Sequence, residues 1–186
     1  MEYYDHAMSG AVLALAAGVQ RKFGPAIVLT AAASASLPDW DDLPGGVHRV
    51  WGHSLLIAPL ASGLAGSLGY LCYRSARRMN GSGLLWREWR VWILIGVVAS
   101  LTHVLGDLVY CGQEAGLDWP VVLFWPLTRD GWGLPTVAWA DRGLTIILGT
   151  ALVVACILRR HAQLIGVTAV VVAVMYIGVW GVARYF

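Results

Sequence analysis

Along this chain, apolar stretches of helical length alternate with short polar breaks. Two short runs come first, Ala7 to Gln20 and Phe23 to Leu37, split only by Arg21-Lys22. Their many Ala, Gly and Ser residues suit close packing, so they predict a helical hairpin, each arm shorter than the ~20 residues that cross a bilayer. Pro38 stops the second run, and a polar stretch continues to about Gly52. Ser54 to Tyr73, Val91 to Cys111, Leu144 to Leu158 and Leu164 to Val182 read as longer spans, the last two joined by Arg159-Arg160-His161. Gly112 to Ala140 is a loop rich in Trp and Pro, as suits a segment at headgroup depth. The expected fold is all-α, one integral-membrane domain over residues 1–186. It is a multi-pass transmembrane helix bundle of about four long spans plus the N-terminal hairpin.

Composition supports a bilayer setting. The 186 residues are 58% hydrophobic and 13% charged, far more apolar and about half as charged as a typical soluble domain. A formal net charge of +2 without a basic face excludes nucleic acid as a partner. Cys72, Cys111 and Cys156 are widely spaced in or beside apolar runs, which predicts apolar packing rather than a disulfide framework or a thiolate metal site. The opening Met-Glu-Tyr-Tyr-Asp-His lacks the features of a signal peptide, so the first run is expected to stay in the mature protein.

Charge placement adds an orientation. If both short runs cross, then Arg21-Lys22, the arginines between 74 and 90 and Arg159-Arg160 share one side, cytoplasmic by the positive-inside rule. Every acidic residue but Glu88 lies on or toward the other side. Both termini, the 37–54 stretch and the Trp-rich loop then share the outer face.

That face carries the candidate chemistry. His103 and Asp107 are four residues apart, one helical turn, as two ligands of one metal require. A His–Asp pair that merely fixes helix packing is the plainer alternative, but ionisable groups within a span face a partner or a cavity. Asp39, Asp41 and Asp42 read singly as loop carboxylates or a cap. With His48 and His53 they supply the oxygen and nitrogen ligands that suit Zn²⁺, Mn²⁺ or Fe. The topology brings His6 to the same face. Arg49 and Arg129 can hold a phosphate or carboxylate, or pair with a nearby Asp. Asp141 reads as a helix cap, and His161 lies far from the cluster.

The ordered motifs are His-x-x-x-Gly at His6 to Gly10, Leu-Pro-Asp-x-Asp at Leu37 to Asp41, and His-Arg-x-x-x-His-Ser at His48 to Ser54. His-x-x-x-Asp at His103 to Asp107 and a loose Trp-Pro-x-x-Arg at Trp125 to Arg129 follow. With them, the sequence resembles the YdjM-type family of bacterial inner-membrane proteins, described as metal-dependent hydrolases. Gly52 stands where that family usually has Thr, and Leu127-Thr128-Arg129-Asp130 departs from its Phe-Ser-x-Arg pattern. The ligand order is also similar to that of zinc-dependent phospholipase C enzymes, which implies phosphoester hydrolysis.

The expected function is therefore a membrane-embedded hydrolase in the bacterial cytoplasmic membrane, its site at the outer face. His6, Asp39, Asp41, His48, His53, His103 and Asp107 are the candidate ligands of one or two divalent ions, Zn first, with Mn or Fe as alternatives. A metal-activated water would attack, assisted by Arg49, while Trp125 and Arg129 hold a lipid or lipid-linked substrate. One rival is a non-catalytic protein that binds a cytoplasmic partner through the basic 74–90 loop. Another is a metal-ion transporter, which needs polar groups at successive depths, whereas the cytoplasmic halves of the spans read as nearly bare of them.

Overall fold

The computed structural model describes residues 2–42, 49–77, 85–111, 119–138 and 141–185. Among them the regular structure is helical: α1 (Tyr3–Ala16), α2 (Gln20–Phe23), α3 (Pro25–Ser36), α4 (Ile57–Ala76), α5 (Trp86–Val109), α6 (Gly143–Ile157) and α7 (Ala162–Tyr185). Short 3₁₀ turns at Leu37–Asp42 and Arg159–His161 complete it.

Local chemistry accounts for the boundaries. Glu2 and Asp5 form a reciprocal capping box that starts α1 several residues before the first apolar run begins, which places His6 inside the helix. Pro25 occupies the first turn of α3, where its missing N–H costs nothing. Pro38 tightens the chain into the 3₁₀ turn. The Ser54 hydroxyl accepts the N–H groups of Leu56 and Ile57 at the start of α4. Asp141 accepts the Gly143 N–H at the head of α6 and a hydrogen bond from the Tyr176 hydroxyl, so its capping role is observed.

α1 and α3 form the expected hairpin, with α2 in the turn. α1 is central, packing against α3, α5, α6 and α7, while α4 lies along α5. Gly10 makes the α1–α3 approach possible, since a Cβ there would run into the Ala31 carbonyl oxygen. One apolar core joins α1, α3, α4 and α5 around Tyr70, Trp92 and Ile27. A second joins α1, α6 and α7 around Val12, Leu144 and Leu148.

Among the described residues two helical stretches are long and apolar enough to cross a membrane, Trp86–Val109 and Arg159–Ala183. α6 is apolar but has only 15 residues, and α4 reaches 20 with a composition diluted by Ser and Gly. Cys111 is buried, but Cys72 and Cys156 are exposed. Among the described residues one of the three thus packs within the protein, and the other two lie on exposed helix faces.

Residues 119–138 cross the end of α5 as an irregular cover, pinned by an antiparallel bridge between Val121 and Trp132. The N–H groups of Leu134, Thr136 and Val137 donate to the carbonyls of Leu108 and Val109. In the same segment the Val122 N–H donates to the Arg49 carbonyl, and the Leu55 N–H to that of Leu123. The cover, the 49–54 segment and the 3₁₀ turn thus close over one end of the bundle.

Candidate metal centre

Beneath this cover His6 from α1, Asp39 from the 3₁₀ turn, and His103 and Asp107 from α5 each offer a ligand atom, all within 4.8 Å of one another. All four are buried, as is His53. The His53 Nε2 atom stands 3.0 Å from His103 Nε2, 3.1 Å from Asp107 Oδ2 and 3.5 Å from Asp39 Oδ1. His103 Nε2 is 3.4 Å from Asp39 Oδ1 and 3.8 Å from Asp107 Oδ2. Asp107 Oδ1 is 3.1 Å from His6 Nε2, and the His6 and His103 rings stack with centroids 3.5 Å apart.

These separations suit a shared cation. Ligands about 2.0–2.1 Å from a tetrahedral ion stand roughly 3.4 Å from each other. Proton placement supports the same reading. The His103 Nδ1 lies 2.6 Å from the Ala35 carbonyl oxygen, which can only accept, so Nδ1 carries the hydrogen and Nε2 turns a lone pair inward. His53 Nδ1 lies 3.2 Å from Asp41 Oδ2, and in the neutral ring a hydrogen donated there leaves the Nε2 lone pair for a metal. Two imidazole nitrogens and two carboxylate oxygens thus converge on one point, where a cation would be held by all four. In addition, the imidazole nitrogens of His6 and Asp39 Oδ2 are buried without an aligned hydrogen-bond partner among the described residues. The donor set of neutral imidazoles and carboxylates fits Zn²⁺, Mn²⁺ or Fe²⁺.

Charge balance agrees. Asp39, Asp41 and Asp107 bring three negative charges and Arg49 one positive, which leaves two for a divalent ion to neutralise. Burial by itself would raise the Asp39 carboxyl, yet hydrogen bonds with His103 and His53 outweigh it and hold the group below the ordinary carboxylate range. Burial likewise pulls His53 down, but Asp107, Asp39 and Asp41 outweigh it and raise it above the ordinary histidine value. A carboxylate field that favours a positive ring at this point favours a metal there as well.

Sequence reasoning treated Asp41 as a ligand, and the structure gives it a different contact set. Its Oδ2 accepts the N–H groups of Val50 and Gly52, each at 3.1 Å, besides facing His53 Nδ1. It therefore fixes the 49–54 segment and aims His53. Gly52 is required by this packing, since a Cβ would strike the Pro38 carbonyl oxygen. That contact explains why this chain carries glycine there.

Arg49 is buried, with Nε 3.2 Å from Asp107 Oδ2 and Nη1 donating to the Trp119 carbonyl at 2.8 Å. Its guanidinium also stacks over the Trp119 ring at 5.6 Å. Its φ of 65° is a strained value for a non-glycine residue, held by these contacts. Arg129 is exposed and Trp125 partly exposed on the cover, and among the described contacts neither reaches the cluster. His48 and residues 78–84 and 112–118 lie outside the described residues. Sequence reasoning missed Trp119, whose role rests on a backbone carbonyl that no motif reports.

The fold and the cluster define a class: an all-helical membrane protein with a buried His/Asp centre able to hold a metal ion. Within it, the profile of the YdjM inner membrane protein family matches residues 1–186, the whole chain, and the protein belongs to that family. No curated protein and no solved structure matches it significantly.

Proposed function

We propose that this protein is a metal-dependent hydrolase acting on a phosphoester of a lipid or lipid-linked substrate. It would cross the bilayer several times through α4, α5, α6 and α7, with the hairpin packed beside them and the centre at the outer face. The observation that carries this reading is the convergence of His6, Asp39, His53, His103 and Asp107, from four separate stretches, at metal-ligand separations beneath the irregular cover. Those five residues would hold a divalent ion, which when bound supplies Lewis-acid chemistry, polarising a water and a phosphoryl oxygen.

The chain's own groups do the rest. Asp41 keeps the His53 lone pair aimed inward. Asp39 Oδ2, which has no hydrogen-bond partner among the described residues, takes up the proton of the attacking water. Arg49, anchored by Asp107 and Trp119, offsets the charge that develops on the phosphoryl oxygens. The apolar helices and the cover exclude bulk water and strengthen each of these interactions.

The transporter alternative requires a path beneath the cluster. Ser34, Ser62, Ser100, Tyr70 and Trp92 are buried there, so the seam is less bare of polar groups than the sequence implies. It is nevertheless closed: Gly66 of α4 lies against the Trp92 carbonyl so tightly that a Cβ would not fit. The Ser62 hydroxyl donates across the same seam to the Ser34 carbonyl. Binding of a cytoplasmic partner through the basic 74–90 loop leaves the converged ligands unexplained.

Elemental analysis of the purified protein beside a His103→Ala/Asp107→Ala variant tests the proposal. About one divalent ion per chain in the wild type and none in the variant is the expected result. Equal metal content in the two proteins overturns it, and a phosphodiester and phospholipid hydrolysis screen of the loaded protein then tests the reaction.

A further inference from the structure

Helix α1 packs against both α5 and α7, but α5 does not pack closely against α7. Between them lies an apolar cleft of about 280 Å³, lined by Ser9, Gly106, Tyr110, Leu148, Ala173 and Ile177 among others. It follows α5 from Tyr110 at the cluster end to Thr102, a depth of about 12 Å. The cleft and the metal centre flank the same α1–α5 seam. Gly106 immediately precedes Asp107, and Ser9 lies one turn after His6. At the upper end the Tyr110 side chain is buried, and its hydroxyl has no hydrogen-bond partner among the described residues. A buried donor of this kind is costly unless something supplies an acceptor.

We infer that this cleft receives one ester-linked acyl chain of the lipid substrate, with the Tyr110 hydroxyl donating to the ester carbonyl. The inference rests on the lipid-hydrolase reading and narrows it to an acylated lipid. The dimensions match. A slot that starts about one turn outside Asp107 and runs inward beside the reactive centre to the level of His103 follows the inward path of an acyl chain from a headgroup. Its volume, on the order of nine water-sized units, accommodates one chain of moderate length and not two. Of the hydroxyls on its lining residues, those of Ser9 and Thr102 already donate to carbonyls of their own helices, which leaves Tyr110, at the outer end, as the donor for the polar atoms of an acyl ester. A polyprenyl chain would present no carbonyl there.

The probe is phosphatidylglycerol with a photoreactive diazirine at the end of one acyl chain, reconstituted with the full-length protein in phosphatidylcholine nanodiscs. Crosslinks are mapped by mass spectrometry. They are expected to concentrate on α5 near Thr102 and on α7 around Val170 and Ala173. They should fall severalfold in Ala173→Phe, which fills the slot, and in Val174→Trp, an exposed position at the slot's edge that tolerates a large side chain without disturbing the fold. Tyr110→Phe is expected to weaken competition by unlabelled dilauroyl-phosphatidylglycerol, while free glycerol phosphate displaces nothing. Crosslinks spread evenly over the lipid-facing helices, or unchanged by both filling variants, overturn the inference and indicate bulk lipid only. Metal content is measured on every sample. A labelling pattern retained in metal-free His103→Ala supports the slot by itself, whereas wild-type protein with metal but no preferred labelling removes the slot and leaves the metal centre standing.

Discussion

Helices α5 and α7 are equal in length, 24 residues each, and both contain a stretch apolar enough to cross a bilayer, yet they do opposite work. In α5, 44% of the apolar window is buried within the protein; in the stretch ending in α7, only 11% is. α5 has α3, α1 and α4 around it and places His103 and Asp107 where those neighbours meet. α7 leans on α1 and α6 and turns Val171, Val174, Met175 and Val179 outward. The contrast teaches that hydropathy sets whether a helix enters a membrane, whereas its neighbours set whether it can carry a charge there.

Four substitutions test that contrast, from the largest effect to the smallest. Asp107→Leu makes α5 resemble α7 and strands the buried Arg49 without its carboxylate. A loss of about 3–5 kcal/mol is expected, with the metal content, in denaturation and elemental assays of the detergent-solubilised protein. A variant as stable as wild type would show that Arg49 finds compensation elsewhere.

The reciprocal change, Met175→Asp, puts a carboxylate on the exposed face of α7, where no described residue offers it a partner. It should cost about 2.5–3.5 kcal/mol of insertion free energy, read as a reduced inserted fraction in a glycosylation-mapping assay. Full insertion would mean that this face of α7 is not in hydrocarbon.

Asp41→Asn keeps the shape of the side chain while weakening its grip on His53. Metal affinity should fall by about 10–100-fold in a competitive chelator titration, with the helical circular dichroism unchanged. An unaltered affinity would make Asp41 a purely structural anchor of the 49–54 segment. The smallest effect belongs to Val179→Leu on the outer face of α7, expected to stay within about 0.5 kcal/mol in thermal denaturation. A larger shift would reveal an unseen neighbour on that face.

Much of the candidate site was legible in the sequence, for a local reason. The four-residue spacing of His103 and Asp107 fixes a common face of one helix, and Pro38 next to Asp39 predicts the end of α3 and a turn. Arg49 was legible as a partner for an Asp, though not which one, while Asp41 and Trp119 were legible as polar or interfacial residues but not in their roles. Asp41 and Asp39 lie two residues apart, and nothing local says which will meet the metal ligands and which will brace a loop. That depends on where Val50 and Gly52 present their N–H groups. Arg129 and Arg49 were likewise equivalent as isolated arginines, until the fold buried one against Asp107 and left the other exposed.

What the sequence alone determined is the main apolar helices and the shared face of His103 and Asp107, because hydrophobic periodicity and proline stops act over a few neighbouring residues. Only the tertiary structure decided which faces meet. Gly10 lets α1 settle on Ala31 so that the His6 ring stacks on His103, and the 3₁₀ turn swings Asp39 to the same point. Such meetings depend on close packing between segments distant along the chain, where a single Cβ in the wrong place keeps two backbones apart.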